Sequence, residues 1–513
     1  MRQIAHRQTS PRVGIPPTSV SQSPFAVKNP FLPFLKRLLA LPADVPKDTR
    51  KALIRAYLRQ ERKRLEATPH RKGDSPAEHL NRKRFARKVV ARRAKDLRRQ
   101  QGPRKELEKQ LLLTRYRESP LLSGLIPDRK DRWVRAQDRN SGPERTEIEL
   151  ENFSFIDRPA ETLAKLKQIA EVECGGLNAL LHFKDQYCLD IGPYLVLGEL
   201  WPCLSPFFAG GEMGGSVQKV MEAVGLRRIM KMKLAHVRDL RNVWAFPVHR
   251  RTPQGPARSA NQLLEPQRDN QVADDFCDAI DSWLDVPEIG QELTPEGRAW
   301  ISTIILELLD NAMRHSAPAT KDGGWSIAGF MARRQEGADW VYRCYLGILS
   351  VGATIDESLE FASDRIKDEL NQYVAQFQGE REAPSAATLR TLYALQDGVT
   401  CDPKADGKGR GGFGLQEVMG LVNELGNTDK PARDPRLVII SGRSCIMVRA
   451  PYMRGVQMAG EDSPRVLWFN PENAAEKLPD PSYVFDLQER FAGTIISLAF
   501  TLDPDYLNEA QND

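Results

Sequence analysis

The chain has 513 residues, 41% of them hydrophobic, which suffices for about two to four domains with real cores. Its formal charge of +6 conceals a division: residues 1–150 hold 37 Lys+Arg against 16 Asp+Glu, net +21, while the remainder nets −15. That is the pattern of a basic interaction arm on an acidic globular body. Seven scattered cysteines with no C-x-x-C pair suggest neither a disulfide framework nor a zinc site. No apolar run approaches ~18 residues, and the start lacks a signal-peptide core, so a cytoplasmic protein without membrane insertion is expected.

Residues 1–34 are rich in Pro, Ser and Gln and read as a disordered tail. A helical pattern over 35–66 is broken at Pro42 and Pro46, and 76–117 read as one or two long basic helices, the whole of 35–145 forming a basic helical region. The densest charge lies between Arg82 and Arg99, with Asp96 as its single counterweight. Clustered Lys/Arg across residues 82–105 would neutralise phosphates and release counterions, which makes nucleic acid one candidate partner. A solvated helix face packed on the acidic body stands beside it, as does a protein or membrane-surface role.

Residues 146–250 alternate strands and helices and predict a small α/β domain. Ile148–Phe155 alternates as a strand, a helix follows from Ala160 to Ala170, and the apolar run Asn178–Phe183 fits a buried parallel strand. Asp190-Ile-Gly192 leads to a helix through Leu195–Leu200. Gly210–Gly215 reads as a turn before a helix from Val217 to Val224; no Lys-Ser/Thr follows, so it is not a phosphate loop. Residues 251–270 read as a polar linker. By its pattern, 146–250 resembles a STAS domain, the fold of anti-sigma-factor antagonists. In that resemblance Gly192 occupies the position of the phosphorylated serine, which implies that the antagonist's switch is absent.

The C-terminal body, 271–502, begins with a helix carrying Phe276, Ile280 and Trp283, followed by a helix from Pro295 to His315. On the latter, Glu307 and Asn311 are four apart and project from one face. A carboxylate there can take a proton from a nucleophile, and an amide oxygen one turn on can join a Mg²⁺ shell completed by phosphates. The strand Val341–Leu349 then runs into Ser350-Val-Gly352-Ala-Thr354, and a charged helical stretch covers Glu357–Gln378. Gly407, Gly409, Gly411, Gly412 and Gly414 fall within eight positions, just before Leu415 and a helix from Gln416 to Leu425. Such glycines let backbone N–H groups approach an anion at a helix N-terminus. Strands Leu437–Gly442 and Gly493–Phe500 follow, and 503–513 form a tail.

These blocks, in this order, resemble the GHKL ATPase family, shared by sensor histidine kinases, anti-sigma-factor kinases, type II topoisomerases, mismatch-repair proteins and a heat-shock chaperone. Glu307–His315 matches the family's N box, Gly407–Gly414 its glycine-rich lid, Leu392–Thr400 the approach to that lid, and Gly493-Thr494 its terminal strand. The resemblance implies an α+β multidomain protein whose C-terminal domain is an α/β sandwich, a mixed sheet covered by helices. It implies ATP and Mg²⁺ as cofactors, Glu307 as base, and Asn311 as metal ligand. His315, Ser350, Gly352, the lid glycines, Leu415 and Thr494 would lie around the nucleotide. One block departs from the family: Ser350 stands where an adenine-reading Asp is expected, and Thr354 where a second Gly is. The expected function is an ATP-dependent switch that hydrolyses ATP or phosphorylates a protein partner, in an anti-sigma-kinase-like or defence role. A non-catalytic nucleotide sensor and a nucleotide-gated nucleic-acid factor are the alternatives.

Overall fold

Described in the structure, a computed structural model, are residues 47–66, parts of 84–94, 111–114, 118–129, 134–137, 146–175, 179–232, most of 237–260, 267–406, 414–426, 430–457 and 464–502. The chain divides into two units, Met1–Leu107 and Glu108–Asp513. The first contains helix α1 (Lys47–Glu66), which starts directly after Pro46, where the sequence pattern breaks. Helical backbone recurs over 86–91, and the buried carboxylate of Glu61 pairs with Arg93. The expected tail 1–34 and most of the basic residues 82–105 lie outside the described residues.

The second unit opens with strand β1 (Leu111–Thr114), helix α2 (Pro120–Leu125) and strand β2 (Val134–Gln137), β1 and β2 forming an antiparallel pair. This corrects the expectation of helix to residue 117: the Leu-Leu-Leu-Thr run pairs with β2, and long-range pairing overrides local helix propensity. Strand β3 (Thr146–Leu150), helix α3 (Pro159–Gly175), β4 (Ala179–Phe183), α4 (Gly192–Leu204), β5 (Phe208–Met213), α5 (Gly215–Ala223) and α6 (Leu226–Met230) follow. The three strands form a parallel sheet in the order β3-β4-β5. Gly210–Gly215, expected as a turn, is largely strand β5. Gly211, at φ +151°, runs so close to β4 that a Cβ there would lie 1.7 Å from the Leu181 carbonyl oxygen. The glycines serve close strand approach.

Strands β6 (Val243–Arg251) and β7 (Ala257–Ser259) come next, then helices α7 (Asp269–Leu284) and α8 (Pro295–Ser316) and strands β8 (Gly324–Glu336) and β9 (Asp339–Val351). The chain continues through α9 (Ile355–Ser358), α10 (Asp364–Gln376), α11 (Ala386–Tyr393), α12 (Pro403–Asp406) and α13 (Gly414–Leu425). It closes with β10 (Arg436–Val448), the short pair β11 (Val456–Gln457) and β12 (Arg465–Val466), and β13 (Val484–Leu502). A six-stranded sheet forms in the order β10-β13-β9-β8-β6-β7. Residues expected at the end of the middle domain (243–250) and in a linker (251–270) therefore supply two of its strands.

Every ladder of this sheet is antiparallel, where a mixed sheet was expected. Two connections show why. β8 and β9 meet in a two-residue hairpin in which Gly337 adopts φ +63°. Between β6 and β8 lie two helices rather than one. Arg298 near the start of α8 pairs with Asp278 and Asp281 near the end of α7, so the helices form a hairpin that returns the chain to the end it left.

The sheet is buried on both faces, and side-chain alternation sorts its residues between them. On β9, Tyr342, Cys344, Leu346 and Ile348 join one core with α7, α8, α11 and α13. Tyr345 and Leu349 join the other, with α3, α4 and the parallel sheet. At Gly347 a Cβ would lie 2.9 Å from Ile191 Cγ2, so the middle segment sits flush on this second face. Over the described residues the protein is thus α+β with several sheets and no barrel. Among the described residues no helix is long and apolar enough to cross a membrane.

Candidate functional site

Helix α8 sets the geometry. Thr294 accepts the Gly297 N–H at 3.0 Å as N-cap, Pro295 occupies the first turn, and Arg314 lies beside His315 in the last turn, where its positive charge suits the dipole. Ile301, Ile304, Ile305, Leu308 and Leu309 form the buried stripe. At 100° per residue, Glu307, Asn311 and His315 then follow one another along the stripe's flank. That spacing turns Asn311 and His315 towards the space between α8 and the sheet, while Glu307 stays exposed at the helix surface.

That space is a cavity of about 120 Å³, smaller than the ~300–1,000 Å³ typical of small-molecule sites. Four separate segments bring expected residues to it: Asn311 and His315 from α8, Ser350 from β9, Gly414 and Leu415 from α13, and Thr494 from β13. Leu308, Ile348, Ile355, Leu395 and Ile496 supply apolar wall. Neither Asn311 nor Ser350 spends its side chain on a hydrogen bond to the described protein.

Glu307 stands beside the cavity. A Cβ on Gly414 would lie 3.0 Å from Asn311 Nδ2 and 3.1 Å from Glu307 Oε2, so the N-terminus of α13 touches both. Partial burial, with Glu417 and Asp310 nearby, holds the Glu307 carboxyl above the usual carboxylate range. Gly352, expected at the site, does not line the cavity: at φ +147° it packs on the end of α8, where a Cβ would meet the Ser316 carbonyl oxygen at 2.1 Å. Gly407, Gly409, Gly411 and Gly412 lie outside the described residues.

Thr354 has a local task. Its N–H donates to Glu357 Oε2 at 2.9 Å and its hydroxyl to Asp356 Oδ1 at 2.6 Å, fastening the start of α9. Asp356 is thereby engaged and does not line the cavity.

Two further polar or thiol-bearing lining residues escaped the sequence reading, Ser358 and Cys401, while Thr400, at the end of the expected lid approach, lines the cavity as well. Ser358 Oγ donates to the Ile355 carbonyl at 2.7 Å, so its contact with His315 Nδ1 at 3.0 Å uses its lone pair. His315 therefore carries its proton on Nδ1 and turns an accepting Nε2 towards Cys401 Sγ, 4.0 Å away. Burial, helped by Arg314, lowers the His315 pKa to about 4, so the ring is neutral at physiological pH. Burial and Asp402 push the Cys401 thiol up, which keeps it protonated and argues against an activated Cys–His nucleophile. The position of Cys401, directly after the 392–400 segment, was the available signal.

On the opposite face, Asp190 is fully buried and accepts N–H groups from Phe155 (2.8 Å), Ile156 (3.4 Å) and Gly192 (2.8 Å). Burial nevertheless raises its pKa to about 7, the three N–H groups offsetting part of the effect. A Cβ on Gly192 would lie 1.9 Å from Ser497 Oγ. No space remains at residue 192 for an accessible side chain.

Among the described residues no group of three His, Cys, Asp or Glu could hold a metal ion. Comparison of the chain with family models, curated proteins and solved structures finds no match in any of the three.

Proposed function

We propose that residues 271–502 form a GHKL-type nucleotide-binding domain and that the cavity between α8 and the sheet takes Mg-ATP as part of an ATP-dependent switch. The supporting observation is the convergence of Asn311, His315, Ser350, Gly414, Leu415 and Thr494, distant in sequence, on a single cavity. Its apolar walls suit a heterocycle, while the N-terminal end of α13, beside Asn311 and Glu307, suits phosphates.

A Mg²⁺ ion fits this donor set. The Asn311 amide is not committed elsewhere, and Mg²⁺ characteristically takes few protein ligands and completes its shell with phosphates and water. Bound there, the ion would neutralise phosphate charge. Glu307, exposed beside Gly414 and with its raised pKa, would accept a proton from water or from a partner's hydroxyl. Ser350 in place of a carboxylate favours a second reading, a sensor that binds nucleotide without turning it over.

Calorimetry with Mg-ATP, beside phosphate release by wild type and Glu307→Gln, tests the proposal. Binding by both with turnover by wild type alone supports the switch. Binding without turnover by either favours the sensor, and no binding at millimolar ATP removes both.

A further inference from the structure

The part of the cavity lined by the sheet contains a hydroxyl relay with two settings. Ser350 and Thr494 are cross-strand partners on β9 and β13, and both line the cavity. Ser441, fully buried on β10, accepts the Ile355 N–H at 2.8 Å; its Oγ lies 2.8 Å from Thr494 Oγ1 and 3.4 Å from the Gly493 carbonyl oxygen. A serine hydroxyl has one proton. When Ser441 donates it to Thr494, the Thr494 proton is free to point into the cavity. When Ser441 turns its proton to Gly493, Thr494 donates to Ser441 and shows the cavity only a lone pair. Ser350 has no hydrogen bond to the described protein and rotates to either role. Among the described residues no Asp, Glu, Lys or Arg lines the cavity to fix the polarity.

A fixed acceptor distinguishes an amino group from a keto group because the wrong partner leaves a buried polar atom unpaired. The relay pairs with both. We infer that the cavity reads purines without regard to the 6-substituent and so takes ATP and GTP alike, through Ser350 and the Ser441–Thr494 pair. This rests on the nucleotide-site reading above and names its ligand class.

The test is titration of the full chain with Mg-ATP and Mg-GTP. Wild-type affinities are expected within about tenfold of each other, the scale of one modest hydrogen-bond difference. Ser350→Asp installs a permanent acceptor and should swing the ratio towards ATP by about tenfold or more. Ser441→Ala removes the acceptor for the Thr494 proton and should move the ratio towards GTP. A wild type preferring ATP a hundredfold overturns the relay and leaves the nucleotide site standing. An unchanged ratio in Ser350→Asp also overturns it, because the base would then lie elsewhere. Binding of neither nucleotide overturns the relay together with the site.

Discussion

The two faces of the six-stranded sheet are built from the same strands and do opposite things. On the face towards α3 and α4, glycines at 192 and 347 let backbones close to a distance that admits no side chain, and Asp190 is saturated by three N–H groups. On the face towards α8, the helix layer stands off around the cavity. There Asn311 and Ser350 keep their polar groups uncommitted beside Leu308, Ile348 and Ile496. One residue along a strand changes the side: Ile348 and Ile496 line the cavity, whereas Leu349 and Ile495 belong to the sealed core. Sealing rewards complementarity and leaves no room for a ligand; a stand-off sacrifices packing and leaves groups that a ligand can satisfy.

Substitutions on the two faces should therefore separate function from stability. Glu307→Gln should cut any turnover by about 10²–10⁴-fold while leaving the melting temperature nearly unchanged; a large fall in melting temperature would show that the cavity face is structural too. Gly192→Val, which forces atoms against Ser497, should destabilise by about 1–3 kcal/mol or more in chemical denaturation, whether or not nucleotide is present. Asn311→Ala should weaken Mg-ATP by about 1–3 kcal/mol in calorimetry, with unfolding little affected.

Asp190 gives the sealed face a pH signature. Its folded pKa of about 7 lies above the ordinary carboxyl value of 3.8. Between about pH 4 and pH 7 the native state holds a proton that the unfolded chain has released. Its contribution to stability is therefore full at the acidic end and falls as pH rises through 7. Asp190→Asn should flatten that slope in melting curves between pH 5 and 7.5, while losing about 1–3 kcal/mol because an amide NH₂ opposes N–H donors. The smallest effect should be at Ser350→Ala, expected to cost under about 1 kcal/mol of nucleotide affinity because the hydroxyl it removes is one of two at that end of the cavity.

Local signals were legible in the sequence. Helix α8 declared itself through the 3.6-residue spacing of Ile301, Ile304, Ile305, Leu308 and Leu309 and the Thr294-Pro295 start, and that spacing places Glu307 and Asn311 on one flank. The apolar runs of β4, β9 and β13 marked strands, because residues buried on both sides leave few polar positions. Hidden were the features set by partners far along the chain. Leu111–Thr114 is a strand only because Val134–Gln137 lies beside it, and Gly210–Gly211 is strand because Leu181 needs that close approach. Val243–Arg251 belongs to the large sheet because β8 pairs with it, and Ala257–Ser259 because it pairs in turn with β6. Ser358, Cys401 and Ser441 carry no periodic or spacing signal; they reach the cavity through contacts with His315 and Thr494. Sequence pattern alone determined which segments would bury a face, since periodicity is a property of the local backbone. Tertiary structure decided which face each segment buried and against what, since strand pairing and the choice of core depend on contacts that local propensity does not encode.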